Sequence, residues 1–360
     1  MYRSISPGLS LYLDLVRFLA AVSVLLYHTW TILFPQLPFK WPGHEAVVIF
    51  FVLSGYVITH ATSRPGVTLG LYLQHRAARI LPVAICALLL AALITPLITP
   101  LIGTSSSFSE ATPGPVDTLP FWRATLANLL FIAQSGSLFI SPPFNTPFWS
   151  LNYEVWYYLI FAAWLYSPAR WRLPLTGLAA LLAGPKILLL LPVWLYGVWL
   201  YRHLPKLSAP VAWIVFSLTL MLAAALTWFN ISDILRTWLY GVFPSAWHAH
   251  FSTQFIYDLI LGLVVSANFA AVAAIGNNFR LLFLLQKPIR YLAGVTFSTY
   301  VFHMPLALLA WNGLGIRGAA GFYAFMAIAI FLLAELTERR TGFYRRLLSR
   351  RPVQIPAASQ

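Results

Sequence analysis

Residues 9–34 read LSLYLDLVRFLAAVSVLLYHTWTILF, an apolar run long enough to cross the hydrocarbon core of a bilayer as one helix. Three ionisable side chains interrupt it: Asp14, Arg17 and His28. A charge facing lipid is costly, so such residues turn toward a bundle interior or a water-filled cavity. The segment therefore predicts a membrane span and also a polar interior for it to face. Asp14 and Arg17 are three residues apart, which puts them on one helix face where they can pair. His28 follows Arg17 by about three turns, on roughly the same face and about 16 Å farther along the axis.

The rest of the chain repeats this pattern. Of 360 residues 60% are hydrophobic and only 9% charged, with a mean hydropathy of +0.77. Soluble domains carry roughly 25% charged residues, so water is not the main solvent here. Further apolar runs cover 44–61, 80–102, 148–167, 210–229, 251–274, 291–309 and 318–336. The stretch 174–201 reads as two short helices broken at Gly184-Pro185-Lys186. Together they predict an all-α, polytopic membrane bundle of about ten transmembrane helices. The loop 103–147 is rich in Ser, Thr and Pro; its middle, 119–134, is apolar enough to lie at the interface.

The net charge of +14 invites a nucleic-acid reading, but the cations sit in short clusters between apolar runs. That is the distribution the positive-inside rule produces. With both termini cytoplasmic, 17 of the 23 Lys and Arg fall on the inner side and five on the outer, Arg17 lying within a span. One domain over 1–340 and a basic cytoplasmic tail over 341–360 follow from this arrangement. Cys86 is the single cysteine, which excludes an internal disulfide and a Cys-rich metal site, and no metal is expected. Residues 1–10 lack a basic n-region and an A-x-A pattern, so no removable signal peptide is expected.

Other polar residues stand out against the apolar background. Thr146-Pro147 reads as an N-cap and first helical position, which places Glu154 about two turns inside the next span. Ser298, Tyr300 and His303 lie on a late span that Pro305 should kink. His28, Glu154 and His303 are expected at similar depth, and Asp258 is a further intramembrane acid. Each also has a structural reading as a hydrogen-bond partner within the bundle. Arg76 and Arg79, in the loop before the third span, are spaced to grip a phosphate or, alternatively, to anchor the helix at the interface.

These pieces, in order, resemble the acyltransferase-3 family of membrane-bound O-acyltransferases, which modify bacterial surface and secreted sugars. The opening Leu13-Asp14-Leu-Val-Arg17-Phe-Leu-Ala20 followed by His28 is similar to its motif of Arg, ten residues, then His. The run from Val48 to Ile58 with Ser54-Gly55, the Arg76-Ala-Ala-Arg79-Ile-Leu-Pro82 element and Trp149-Ser150-Leu151-Asn-Tyr-Glu154 resemble three further motifs. Ser298-Thr-Tyr300-Val-Phe-His303 is similar to its late Ser/Tyr/His element, and Glu335 or Glu338 takes its terminal acidic position.

The resemblance implies a cytoplasmic acyl-CoA co-substrate, most commonly acetyl-CoA. It also implies a hydroxyl acceptor on a cell-surface or exported glycan, in a bacterial inner membrane. Transfer to a hydroxyl needs a base and a stabilised oxyanion. His28 is expected as the general base, with Glu154 assisting by orienting the imidazole or sharing the proton. Arg17, Arg76 and Arg79 are expected on the donor, and Ser298, Tyr300 or His303 on the oxyanion or acceptor. Asp14 and Asp258 are supporting residues. A transporter or flippase for a lipid-linked saccharide is the alternative, and it would leave the Arg76/Arg79 pair without a purpose.

Overall fold

The computed structural model describes residues 3–33, 41–101 and 121–349. Among them every regular element is helical. In chain order they are α1 (Pro7–Leu33), α2 (Gly43–Thr62), α3 (Leu69–Ile98), α4 (Phe121–Leu129), α5 (Trp149–Tyr166), α6 (Ala169–Ala183), α7 (Pro185–Arg202) and α8 (Ala209–Trp228). There follow α9 (Ile231–Val242), α10 (Phe255–Ile275), α11 (Arg280–Leu284), α12 (Gln286–Ala293), α13 (Thr296–Leu308), α14 (Ala319–Leu336) and α15 (Thr341–Leu348).

Six of these segments are long and apolar enough to cross a membrane, or seven if α12 and α13, bent by 53°, count as one. The expectation of about ten exceeds this by α5, α6 and α7. Asn152, Glu154 and four tyrosines lower the apolar character of α5. Only 15 residues make up α6, and α7 carries Lys186 and Arg202 at its ends. Exposed large apolar side chains cover the outside, among them Leu181 at 76% and Met221 at 67% exposure. Such a surface is stable only against hydrocarbon. The chain is an integral membrane protein of helical-bundle type.

Three boundaries differ from the sequence expectation. Arg76 and Arg79 lie within α3, not in a loop, because Thr68 accepts the amide of Leu71 at 3.3 Å and starts that helix early. Asn145 precedes a 3-10 turn over Thr146–Phe148, so α5 begins only at Trp149. The large bend in the late span falls between Ala293 and Thr296; Pro305 sits inside α13, which passes into a π-turn at Leu309–Gly313. In the loop between α3 and α5, α4 exposes Phe121, Trp122 and Leu126, as an interfacial segment would. Residues 103–120 of that loop and 350–360 of the tail lie outside the described residues.

The closest helix contact joins α2 to α7. A Cβ on Gly197 would run into the Val52 carbonyl and the Tyr56 amide; one on Gly55 would run into the Trp194 carbonyl. Small residues let membrane helices meet backbone to backbone, where apolar side chains alone supply little drive. The close approach brings the Trp194 indole to Ser54, donating at 3.2 Å. Replacing Gly197 with Ala should force the helices apart at a cost of about 1–3 kcal/mol. A clear drop in detergent unfolding temperature checks this, against Gly70→Ala in α3, where a Cβ meets open space and no drop is expected.

Candidate functional site

A cleft of about 140 Å³ opens between α1, α2, α3, α5 and α13. Arg17 of α1 and Arg76 and Arg79 of α3 line it, with Glu154 as the carboxylate among its lining residues. Asp14 holds Arg17 at 3.1 Å and also pairs with Arg290. The Arg17 guanidinium further donates to the Ala293 carbonyl at 3.0 Å, and its Nε is buried without a partner. Among the described residues no acid forms an ion pair with Arg76 or Arg79. Arg79 lies within electrostatic reach of Arg17. Like charges gathered in a low-dielectric cleft favour an anion over a cation there.

Glu154 is fixed locally. Tyr158, one turn along α5, donates to its Oε1 at 2.5 Å and meets Ser54 at 3.1 Å, while the Arg76 guanidinium lies 5.7 Å from the Tyr158 ring centre. Deeper in the cleft, the Tyr300 hydroxyl lies 2.9 Å from the Pro147 carbonyl and 2.6 Å from Ser150. A carbonyl can only accept, so the Tyr300 proton goes to Pro147 and the Ser150 hydroxyl donates to Tyr300.

One turn farther along α13, beyond Tyr300, two imidazoles meet. His303 is wholly buried, and its Nε2 lies 3.2 Å from Nδ1 of His28, with ring centres 5.0 Å apart. Nδ1 of His303 faces the Tyr300 carbonyl at 2.7 Å and therefore carries a proton, leaving Nε2 as the lone-pair nitrogen of the neutral ring. Nδ1 of His28 faces two acceptors, that Nε2 and the Val24 carbonyl at 2.9 Å, so it too is the protonated nitrogen. The basic lone pair of His28 is then on Nε2, turned away from His303. This is the form in which an imidazole takes up a proton from a substrate.

The structure thus groups the sequence candidates differently from expectation. Arg17, Arg76, Arg79, Glu154 and Tyr300 share the cleft. His28 is paired with His303, and no hydrogen bond joins it to Glu154 among the described residues. Ser298 lies outside the cleft lining, its hydroxyl buried without a partner, while its amide donates to Glu338 at 2.9 Å. Ser54 and Tyr158 escaped sequence reasoning as site residues, although the four-residue spacing of Glu154 and Tyr158 is a helix-face signal. Asp258, 1% exposed, accepts from His44 at 2.7 Å, and Glu45 accepts from Tyr257 at 3.1 Å, so both acids lock α2 to α10 outside the cleft.

Comparison with known proteins gives a family match over residues 10–338, to the acyltransferase-3 model described as an acyltransferase domain. Over 146 residues the chain is 32% identical to the exopolysaccharide production protein ExoZ of Rhizobium meliloti (strain 1021). The match covers 39% of this chain and 41% of that protein. Over 136 residues it is 29% identical to protein 2 in the picA locus of Rhizobium radiobacter, covering 34% of this chain and 66% of that one. No solved structure gives a match of comparable strength.

The His44–Asp258 pair yields a stability test. His44→Ala leaves a buried carboxylate without its partner, at a cost of about 3 kcal/mol, whereas the double variant His44→Ala/Asp258→Asn removes the charge as well. Thermal unfolding in detergent should show the single variant clearly destabilised and the double variant largely recovered.

Proposed function

Because the chain belongs to the acyltransferase-3 family and is an acyltransferase, we propose that it moves an acyl group, acetyl foremost, from acyl-CoA to a hydroxyl of a cell-surface or exported glycan. The observation that carries this reading is the convergence of Arg17, Arg76 and Arg79 in one cleft that Tyr300 also lines, the Tyr300 ring centre lying 6.2 Å from that of His303. Tyr300 and His303, three residues apart on α13, bring the arginine cleft and the histidine pair close together, which supports the reading. The name of the ExoZ relative, an exopolysaccharide production protein, supports the glycan, and the distribution of cations supports a donor on the cytoplasmic side of a bacterial inner membrane.

In this reading the arginines hold the donor's phosphates, which a guanidinium grips bidentately. Nε2 of His28 takes the proton of the acceptor hydroxyl as its oxygen forms a bond to the thioester carbonyl carbon. The tetrahedral intermediate then collapses, the C–S bond breaks and CoA leaves as thiolate. The imidazolium formed on His28 donates through Nδ1 to the lone pair of His303, which stabilises it as a carboxylate does in a Ser-His-Asp triad. Glu154, fastened by Tyr158, balances part of the arginine charge and fixes the cleft wall.

Two measurements test the reading. Calorimetry on purified protein should show acetyl-CoA binding weakened at least about tenfold by Arg76→Ala/Arg79→Ala, since charged hydrogen bonds contribute about 1.5–3 kcal/mol each. No binding of any acyl-CoA by folded wild-type protein would shift the assignment to a lipid-linked saccharide flippase. His28→Ala should lower transfer by about 10²–10⁴-fold, the range of general-base catalysis, with membrane expression intact. Full activity in that variant would remove His28 from the mechanism.

A further inference from the structure

The sequence leaves α13 without a cap. Its N-cap position is Val295, whose side chain cannot accept the first free amides of the helix. The structure supplies an acceptor from elsewhere in the chain. The Glu338 carboxylate, in the turn after α14, accepts from the Phe297 amide at 3.2 Å through Oε1 and from the Ser298 amide at 2.9 Å through Oε2. A negative charge at a helix N-terminus is also favoured by the helix dipole. On the other side of the 53° bend, Arg17 takes the Ala293 carbonyl and Arg339 the Tyr291 carbonyl, each at 3.0 Å. The joint between α12 and α13 is therefore held by charged side chains from α1 and from the end of α14.

What hangs from this joint is the reactive pair. Ser298 and His303 are five residues apart on one helix, about 7.5 Å along its axis. A carboxylate that fixes the start of α13 fixes the depth and rotation of His303. We propose that Glu338 is a positioning residue for the histidine pair, capping α13 from outside and so setting where His303 meets His28. The inference rests on the proposed role of those histidines. Placement of this kind matters because a shift of about 1 Å at a reacting group can cost about 10²-fold in rate.

The test compares Glu338→Ala and Glu338→Gln with wild type, the Gln variant keeping an oxygen that can accept one amide. Glu338→Ala should lower kcat at least about tenfold while the KM for acetyl-CoA moves by less than about threefold, and Glu338→Gln should recover part of the loss. An activity-independent readout comes from the Cys86→Ser/His28→Cys/His303→Cys protein. A short bifunctional thiol reagent such as dibromobimane should bridge the pair when Glu338 is present, bridge it poorly in the Glu338→Ala background and to an intermediate extent in the Glu338→Gln background. Unchanged cross-linking overturns the proposal, as does a rise in KM with kcat preserved, which would make Glu338 part of donor binding. Should Glu338→Ala not fold, the Gln variant decides by the same two readouts. Full activity in His28→Ala, together with a cross-link in the His28→Cys/His303→Cys protein that still depends on Glu338, would discard the histidine mechanism and keep the positioning of α13.

Discussion

Direct backbone contact between α2 and α7 holds the polar interior in register. Gly55 and Gly197 face each other's main chains, so the separation of the two helices is set by atoms that cannot change rotamer. Everything along α2 inherits that placement. Ser54, beside the contact, takes the Trp194 indole on one side and Tyr158 on the other. Tyr158 in turn holds Glu154 at the cleft. A looser helix pair packed through long side chains would leave this chain of hydrogen bonds free to drift, because lipid supplies no hydrophobic pressure to tighten it.

The same solvent constraint accounts for the distribution of charge. Polar groups in a bilayer must be satisfied within the protein. Asp14, Asp258 and Glu338 each obey this by direct pairing: with Arg17 and Arg290, with His44, and with two backbone amides. Arg76 and Arg79 are the departure, drawn into a cleft beside Arg17 with no acid in ion-pair contact among the described residues. Like charges gathered in this way favour the approach of an anion.

Much of the fold was legible because apolar runs are long and their interruptions few. Composition sufficed for an all-helical membrane protein, and the three-residue spacings of Asp14 with Arg17 and of Arg76 with Arg79 announced shared helix faces. Helix starts were less legible: Thr68 initiates α3 well before the apolar run begins, and a 3-10 turn delays α5. The break at 294–295 carries no proline and only Gly294 as a local signal; the side chains that take up its carbonyls and amides come from distant parts of the chain. The partnering of His28 with His303 instead of Glu154 was likewise out of reach. Depth along a helix can be counted from sequence, but rotation of one helix against another depends on packing.

The α2–α7 contact also bears on how the molecule is made. Synthesis completes α2 long before Gly197 exists, so α2 enters the membrane without the surface it fits. Through the whole interval Ser54 lacks the Trp194 indole, and the arginines of α3 and Glu154 of α5 take their places around an unfinished wall. Domains formed in order of synthesis settle as they emerge, but here the middle of the protein must wait for a later segment. A chain released before residue 197 would keep its polar face turned toward lipid or toward whatever machinery accompanies insertion, and quality control would meet it in that state.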